Sequence, residues 1–244
     1  MDFVLGKANT FVMAKYKGPY NLNGKLGDLV FVGAKNSYVR RNDVARGELL
    51  KKDGRFENVR KVQSEFGLAS MIGKHIREAL EPYNTLYRDE KLNARLQAAV
   101  FSVILKDEKE KGKRVFDFGN DPLFLKGLEW HASEHKLGKS LEYVFSCKRD
   151  KKVLNISLDN VRLKKRMVGF AALVDVVVLY LPEHIQTAKD CEKICAEVCS
   201  VEVQSAISLR CAAPKKGMEA IVLCGLRFVD ETGLSIGKGM RVDD

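Results

Sequence analysis

Residues 170–181 read FAALVDVVVLYL, and both faces of that run are nearly all apolar. Val174, Val176, Val178 and Tyr180 alternate with Asp175, Val177 and Leu179, so Asp175 alone interrupts the second face. A strand of this kind is central and covered on both sides, and the β-rich context around it predicts a two-layer antiparallel sandwich. Placed at a sheet edge, the same strand would imply a partner chain to cover it.

The segments on either side repeat the strand signature, with turn residues between them. Strands are predicted over 115–118, 123–130, 141–147, 153–158, 198–209, 218–228 and 234–242, with a short helix over 184–195. In 198–209, Val201, Val203, Ser205, Ile207 and Leu209 face one way, against Ser200, Glu202, Gln204, Ala206 and Ser208. That alternation marks a half-buried strand.

Upstream the period changes. Phe56, Val59, Val62, Phe66, Ala69, Gly73, Ile76 and Leu80 recur at steps of three and four, one face of an amphipathic helix that Pro82 closes. Gly73 on that stripe predicts the close approach of another element. Leu92, Leu96, Ala99 and Val103 share a face of a second helix, with Asn84 or Thr85 near its start, and the two helices pair as an antiparallel hairpin. The charged run KDEKEKGKR, residues 106–114, reads as a solvated linker. The expectation is an α+β chain. Residues 1–112 hold a basic N-terminal β-hairpin and a helix pair, and residues 113–244 form a C-terminal antiparallel β-sandwich.

The N-terminal hairpin is read from Leu26–Val32 and Ser37–Arg41, joined by Gly33-Ala34-Lys35-Asn36, with Gly24 and Gly27 bracketing a sharp entry. Charge concentrates here. Residues 1–60 hold 12 Lys and Arg against 6 Asp and Glu, a surplus of +6 out of +10 for the whole chain. An acidic partner for this part follows. The candidate binding residues are Lys25, Lys35, Tyr38, Arg40, Arg41, Lys51, Lys52, Arg55 and Arg60, with Phe31 and Phe56 interleaved. Cations with an aromatic among them suit phosphates and stacked bases. Asp43, Glu48, Asp53 and Glu57 dilute the patch.

Two groups of segments carry a resemblance. GKLGDLVF and SYVRR, then RFENVRKVQSEFGLAS, form the first; LFLKGLEW and SAISLRCAAPKKGMEAIVLCGLRFVDETG form the second. In these the chain resembles a family of uncharacterised bacterial proteins built as a basic hairpin, a helical segment and a β-rich half. The resemblance implies a plan for the backbone and no activity, substrate or catalytic residue.

His131-Ala132-Ser133-Glu134-His135 matches the H-x-x-E-H pattern, in which a helix presents two imidazoles to zinc and a Glu to a metal-bound water. Here it follows a strand-like run and enters a turn-like KLGK, so a loop is expected instead. Cys191, Cys195 and Cys199, spaced by four, would line one helix face, but a zinc site wants two separated pairs, and Cys199 falls in the next predicted strand. No phosphate-cradling glycine loop and no nucleophile elbow occurs in the sequence, and the four histidines form no triad. No catalytic residue, metal or cofactor is expected, and no small-molecule substrate is evident.

The first residues lack a signal-peptide pattern, because Asp2, Lys7 and Lys15 interrupt it. No apolar run reaches the roughly 18 residues a membrane span needs. The six cysteines read as free thiols of a reducing compartment, so a cytoplasmic location is expected. The expected role is non-enzymatic: an interaction, assembly or structural protein with a protein partner or self-association. Nucleic-acid binding through the basic hairpin is the alternative.

Overall fold

In the computed structural model, Phe170–Pro182 is β8, hydrogen-bonded between Cys195–Glu202 (β10) and Met218–Asp230 (β12). The structure describes residues 14–15, 23–27, 29–33, 38–41, 44–81, 83, 86, 90–130, 136–164, 167–233 and 235–243. With Ser235–Asp243 (β13) these strands form an antiparallel sheet ordered β10-β8-β12-β13. A second antiparallel sheet joins Leu141–Asp150 (β6), Val153–Leu163 (β7) and Ala206–Ala212 (β11) in the order β11-β7-β6, and Phe116–Asp117 (β5) pairs antiparallel with His184–Ile185 (β9). Mixed helices and antiparallel strands make the fold α+β.

The two apolar faces of β8 feed two different cores. Val174, Val176, Val178 and Tyr180 are buried with Leu154, Ile156 and Leu158 of β7 and Ile207 of β11. Val177, Leu179 and Leu181 are buried instead with Ala69, Ile72 and Ile76 of helix Glu57–Ala79 (α2) and Leu92, Leu96 and Val100 of helix Leu92–Leu105 (α3). β8 is therefore covered on both sides by its own chain. The condition that would have made this strand an argument for a partner does not arise.

The chain divides into two compact units, residues 1–60 and 61–244. The boundary read from sequence at 112/113 falls inside the second unit, because the helices share a core with β8, Trp130, Met240 and Val242. The charged run 106–114 is not a free linker. Asp107 accepts from the backbone of Val115 at 2.9 Å, and Glu65 of α2 accepts from the backbone of Gly112 at 2.6 Å.

Several boundaries also move. Residues 123–130 form successive turns with a single bridge, Glu129 to Arg241, rather than a strand. The segment 198–209 divides into β10 and β11, which belong to different sheets. On α2 the buried stripe is Glu65, Ala69, Ile72, Gly73 and Ile76, while Phe66 is 50% exposed and Val59 42%. The closing Pro82 and the start proposed at Asn84 or Thr85 lie outside the described residues; α3 begins at Leu92.

Gly73 does not serve a close approach. A Cβ built there would meet Leu96 Cδ2 at 3.9 Å and Arg77 NH1 at 3.7 Å, ordinary contact distances. Gly73→Ala is expected to stabilise the protein by about 1 kcal/mol, the helix-propensity difference between the two residues. A urea denaturation midpoint that fails to rise would show that the space is less open than this geometry indicates.

Candidate functional site

The first unit carries the surplus charge on a small sheet. Ala14–Lys15 (β1), Gly24–Leu26 (β2), Leu29–Val32 (β3) and Tyr38–Arg41 (β4) pair antiparallel in the order β1-β4-β3-β2. The run read as one strand, Leu26–Val32, is broken after Leu26, where Gly27 takes a left-handed φ of +56°. The segment after β4 forms a helix, Val44–Lys52 (α1), which the sequence reading lacked.

Register decides which candidate residues share a face. Lys25 pairs with Val30, and Val30 with Arg40, making one row across three strands. Tyr38 pairs with Val32 on one side and Lys15 on the other. Paired residues lie on the same side of a sheet, and alternate residues return to it. Lys15, Lys25, Tyr38 and Arg40 therefore occupy one face, around Val30 and Val32. Arg41 belongs to the opposite face, with Leu26, Leu29, Phe31 and Val39. At strand spacings of about 4.8 Å, the positions of Lys25 and Arg40 are about 10 Å apart. None of the residues in these four strands is acidic.

The other candidates are differently placed. Lys51 and Lys52 stand 3.2 and 3.6 Å from the Glu48 carboxylate. Arg55 forks onto Asp53, with Nε 3.0 Å and NH2 2.6 Å from Oδ2, and this hydrogen bonding holds the Asp53 carboxyl below its ordinary range. Such exposed pairs are weak, so they lower the local field without locking these cations away. Arg60 has a structural task, donating to Leu50 O at 2.8 Å and Asp53 O at 2.9 Å. Those carbonyls lie at and just past the C-terminal end of α1, where backbone acceptors lack helical partners. Lys35 lies outside the described residues.

His131–His135 also lies outside them. The cysteine trio does not share a helix face: Cys191 is buried in the short helix Ala188–Cys191, whereas Cys195 and Cys199 belong to strand β10. Among the described residues, no group of three or more His, Cys, Asp or Glu side chains is arranged to hold a metal ion.

Two polar clusters in the second unit were not foreseen as such. In the first, Asp243 accepts from the Tyr143 hydroxyl and from Arg241 Nε and NH2, at 3.1 and 2.8 Å for the latter two. The Arg241 guanidinium lies 5.4 Å from the centroid of the Tyr143 ring. Burial raises the Tyr143 hydroxyl pKa, and burial also holds the neighbouring Cys224 thiol well above its usual range. A thiol so held is a structural group rather than a nucleophile. The second cluster joins Asp175, Arg227 and Ser200 across three strands. Its signal was visible as the one acid inside FAALVDVVVLYL.

An open cleft of about 460 Å³ is lined by Asp117, Gly119, Glu183, His184 and Glu219 among others. His184 Nδ1 lies 3.2 Å from Asp117 Oδ2. Among the described residues, no Ser, Thr, Cys or Lys lines this cleft.

No family model, curated protein or solved structure matches this chain. The chemistry of its own residues is what a functional reading rests on.

The thiols give a direct check. Burial pushes Cys191 up to about 11, and Cys224 is buried completely. At neutral pH a thiol reagent is expected to modify exposed Cys195 in the native protein and to reach Cys191 and Cys224 only on unfolding. Rapid native-state labelling of Cys224, located by mass spectrometry, would contradict a closed layer between the two sheets.

Proposed function

We propose that this chain is a non-enzymatic interaction or assembly protein of the cytoplasm. Its β-rich part is a sandwich scaffold, and its basic N-terminal hairpin unit contacts an anionic partner. The observation that carries this reading is the acid-free sheet on which Lys15, Lys25, Tyr38 and Arg40 share a face. Cations gathered on one surface raise the local potential and steer a partner of opposite sign.

The polar groups of the second unit support a scaffold role. Asp243 and Asp175 are engaged by arginines within the fold, and the Cys224 thiol is held in its protonated form. The six cysteines are free thiols, which suits a reducing compartment. No helix among the described residues is long and apolar enough to cross a membrane.

The test is affinity purification from the native host, in nuclease-treated and untreated arms, with wild type and a Lys25→Glu, Arg40→Glu double variant. The reading expects a partner or a defined oligomer that the double variant releases. A strictly monomeric protein that retains nothing in either arm, or a partner indifferent to both charge reversals, would overturn it.

A further inference from the structure

We infer that the anionic partner of the first unit is a single-stranded nucleic acid lying across the β1-β4-β3-β2 sheet. This rests on the proposed role of that unit as the contact surface. Row geometry supplies the argument: Lys25 and Arg40 sit at the two ends of one three-strand row, with Val30 between them. Lys15 and Tyr38 are paired on the same face, and Tyr38 lies two residues from Arg40 along β4. Cations around a half-buried aromatic on an open strand surface give phosphates their counter-charge and a base its stacking platform.

Each alternative uses less of this arrangement. A duplex keeps its base faces stacked internally, which leaves Tyr38 without a role. An acidic protein needs the cations but not the ring. A sheet of this size accommodates on the order of two or three bases, and three cationic positions serve the phosphates between them. Arg41 falls on the other face, so the two adjacent arginines of Tyr38–Arg41 have separable roles.

The experiment is fluorescence anisotropy of the full chain with labelled single-stranded DNA and RNA of about 15 nucleotides. The matched duplex and polyglutamate serve as competitors. Binding is expected to favour the single strand and to weaken with salt, with a log–log slope of about −2 for three phosphate contacts. Arg40→Ala should weaken binding about tenfold and reduce the slope by about 0.7, while Arg41→Ala stays within about twofold. Tyr38→Phe should preserve affinity and Tyr38→Leu lower it about tenfold through lost stacking. If Tyr38→Leu does not fold, exposed Lys25→Ala carries the same comparison against Arg41→Ala.

Equal losses in the Arg40 and Arg41 variants would overturn the inference, as would duplex or polyglutamate displacing the single strand more readily than unlabelled single strand does. Two failures remain distinguishable. Oligonucleotides that do not bind, with a nuclease-insensitive host partner still released by Lys25→Glu, Arg40→Glu, would replace nucleic acid with protein and leave the contact surface in place. Oligonucleotides that do not bind, with no partner released, would remove the contact surface itself.

Discussion

Gly112→Ala is expected to destabilise the protein by about 3 kcal/mol or more, the combined scale of backbone strain and a lost bond to a buried carboxylate. Gly112 has a φ of +91°, a conformation open to glycine and costly for any residue with a Cβ. A Cβ built there would stand 2.6 Å from Lys61 Cγ and 2.9 Å from its Cβ. The flexible Lys61 side chain could turn away, but Lys61 Cα, at 3.2 Å, belongs to helix α2 and cannot. The loop would have to retreat, taking its N–H from Glu65 Oε1, where the bond is now 2.6 Å. Glu65 is only 2% exposed, so water cannot replace that donor freely. Urea unfolding of Gly112→Ala against wild type measures the loss. In a Glu65→Ala background the same substitution should cost less, because the bond it breaks is already absent. A change within about 0.5 kcal/mol of wild type, the scale of ordinary surface substitutions, would refute the close packing of this loop.

The same contact explains why part of the fold was not legible in the sequence. A charged run such as KDEKEKGKR has one composition whether it is a solvated linker or a loop pinned to a helix. What separates the two is a tertiary contact between residues 47 positions apart. The helix stripe was misread for a related reason. Apolar periodicity selects Phe66, whereas the buried position is its neighbour Glu65, whose Oε1 accepts from a backbone donor distant in sequence.

The division between β10 and β11 is a different kind of miss. Val201 and Val203 pack on the same buried layer as Ile207 and Leu209. The period-two alternation thus keeps its phase through the corner between the two sheets. Only the pairing changes, with Val203 N donating to Ala172 O and Ser205 O accepting from Val161 N, both at 3.0 Å. Side-chain alternation reports which way residues face and not which strand they pair with. The N-terminal site shows the same limit. Its cations were countable in the sequence, but the separation of Arg40 from Arg41 and the joining of Lys25 to Arg40 depend on register. By contrast, the two-faced apolar character of Phe170–Leu181 was readable directly, because no neighbouring element was needed to see that both faces must be covered.

Asp175, the single acid in that run, yields the other large expected effect. Arg227→Met should destabilise the protein by about 3–5 kcal/mol, the cost of leaving a buried charge without its partner. The Asp175 side chain is fully buried, and Arg227 grips it through Nε to Oδ2 and NH2 to Oδ1, each at 3.0 Å. Ser200, directly opposite Asp175, donates to its Oδ1 at 2.6 Å and accepts from Arg227 NH2 at 3.0 Å. Arg227 reaches the pair diagonally from two residues beyond Gly225, the partner of Asp175 on β12, so the cluster ties β10, β8 and β12 together. Removing Arg227 leaves the carboxylate with Ser200 as its remaining partner within the cluster. The double variant Asp175→Leu, Arg227→Met removes both charges and should recover most of the loss, since apolar replacement of a buried pair is often close to neutral. The coupling from the full cycle, read by urea denaturation, is then several kcal/mol. Additive costs would mean that the pair is not coupled and that each residue acts through packing alone. A large coupling with a stable double variant would instead assign the pair to specificity. Satisfied only when β10, β8 and β12 align as they do, it would penalise a slipped register of an otherwise apolar strand more than it adds to stability.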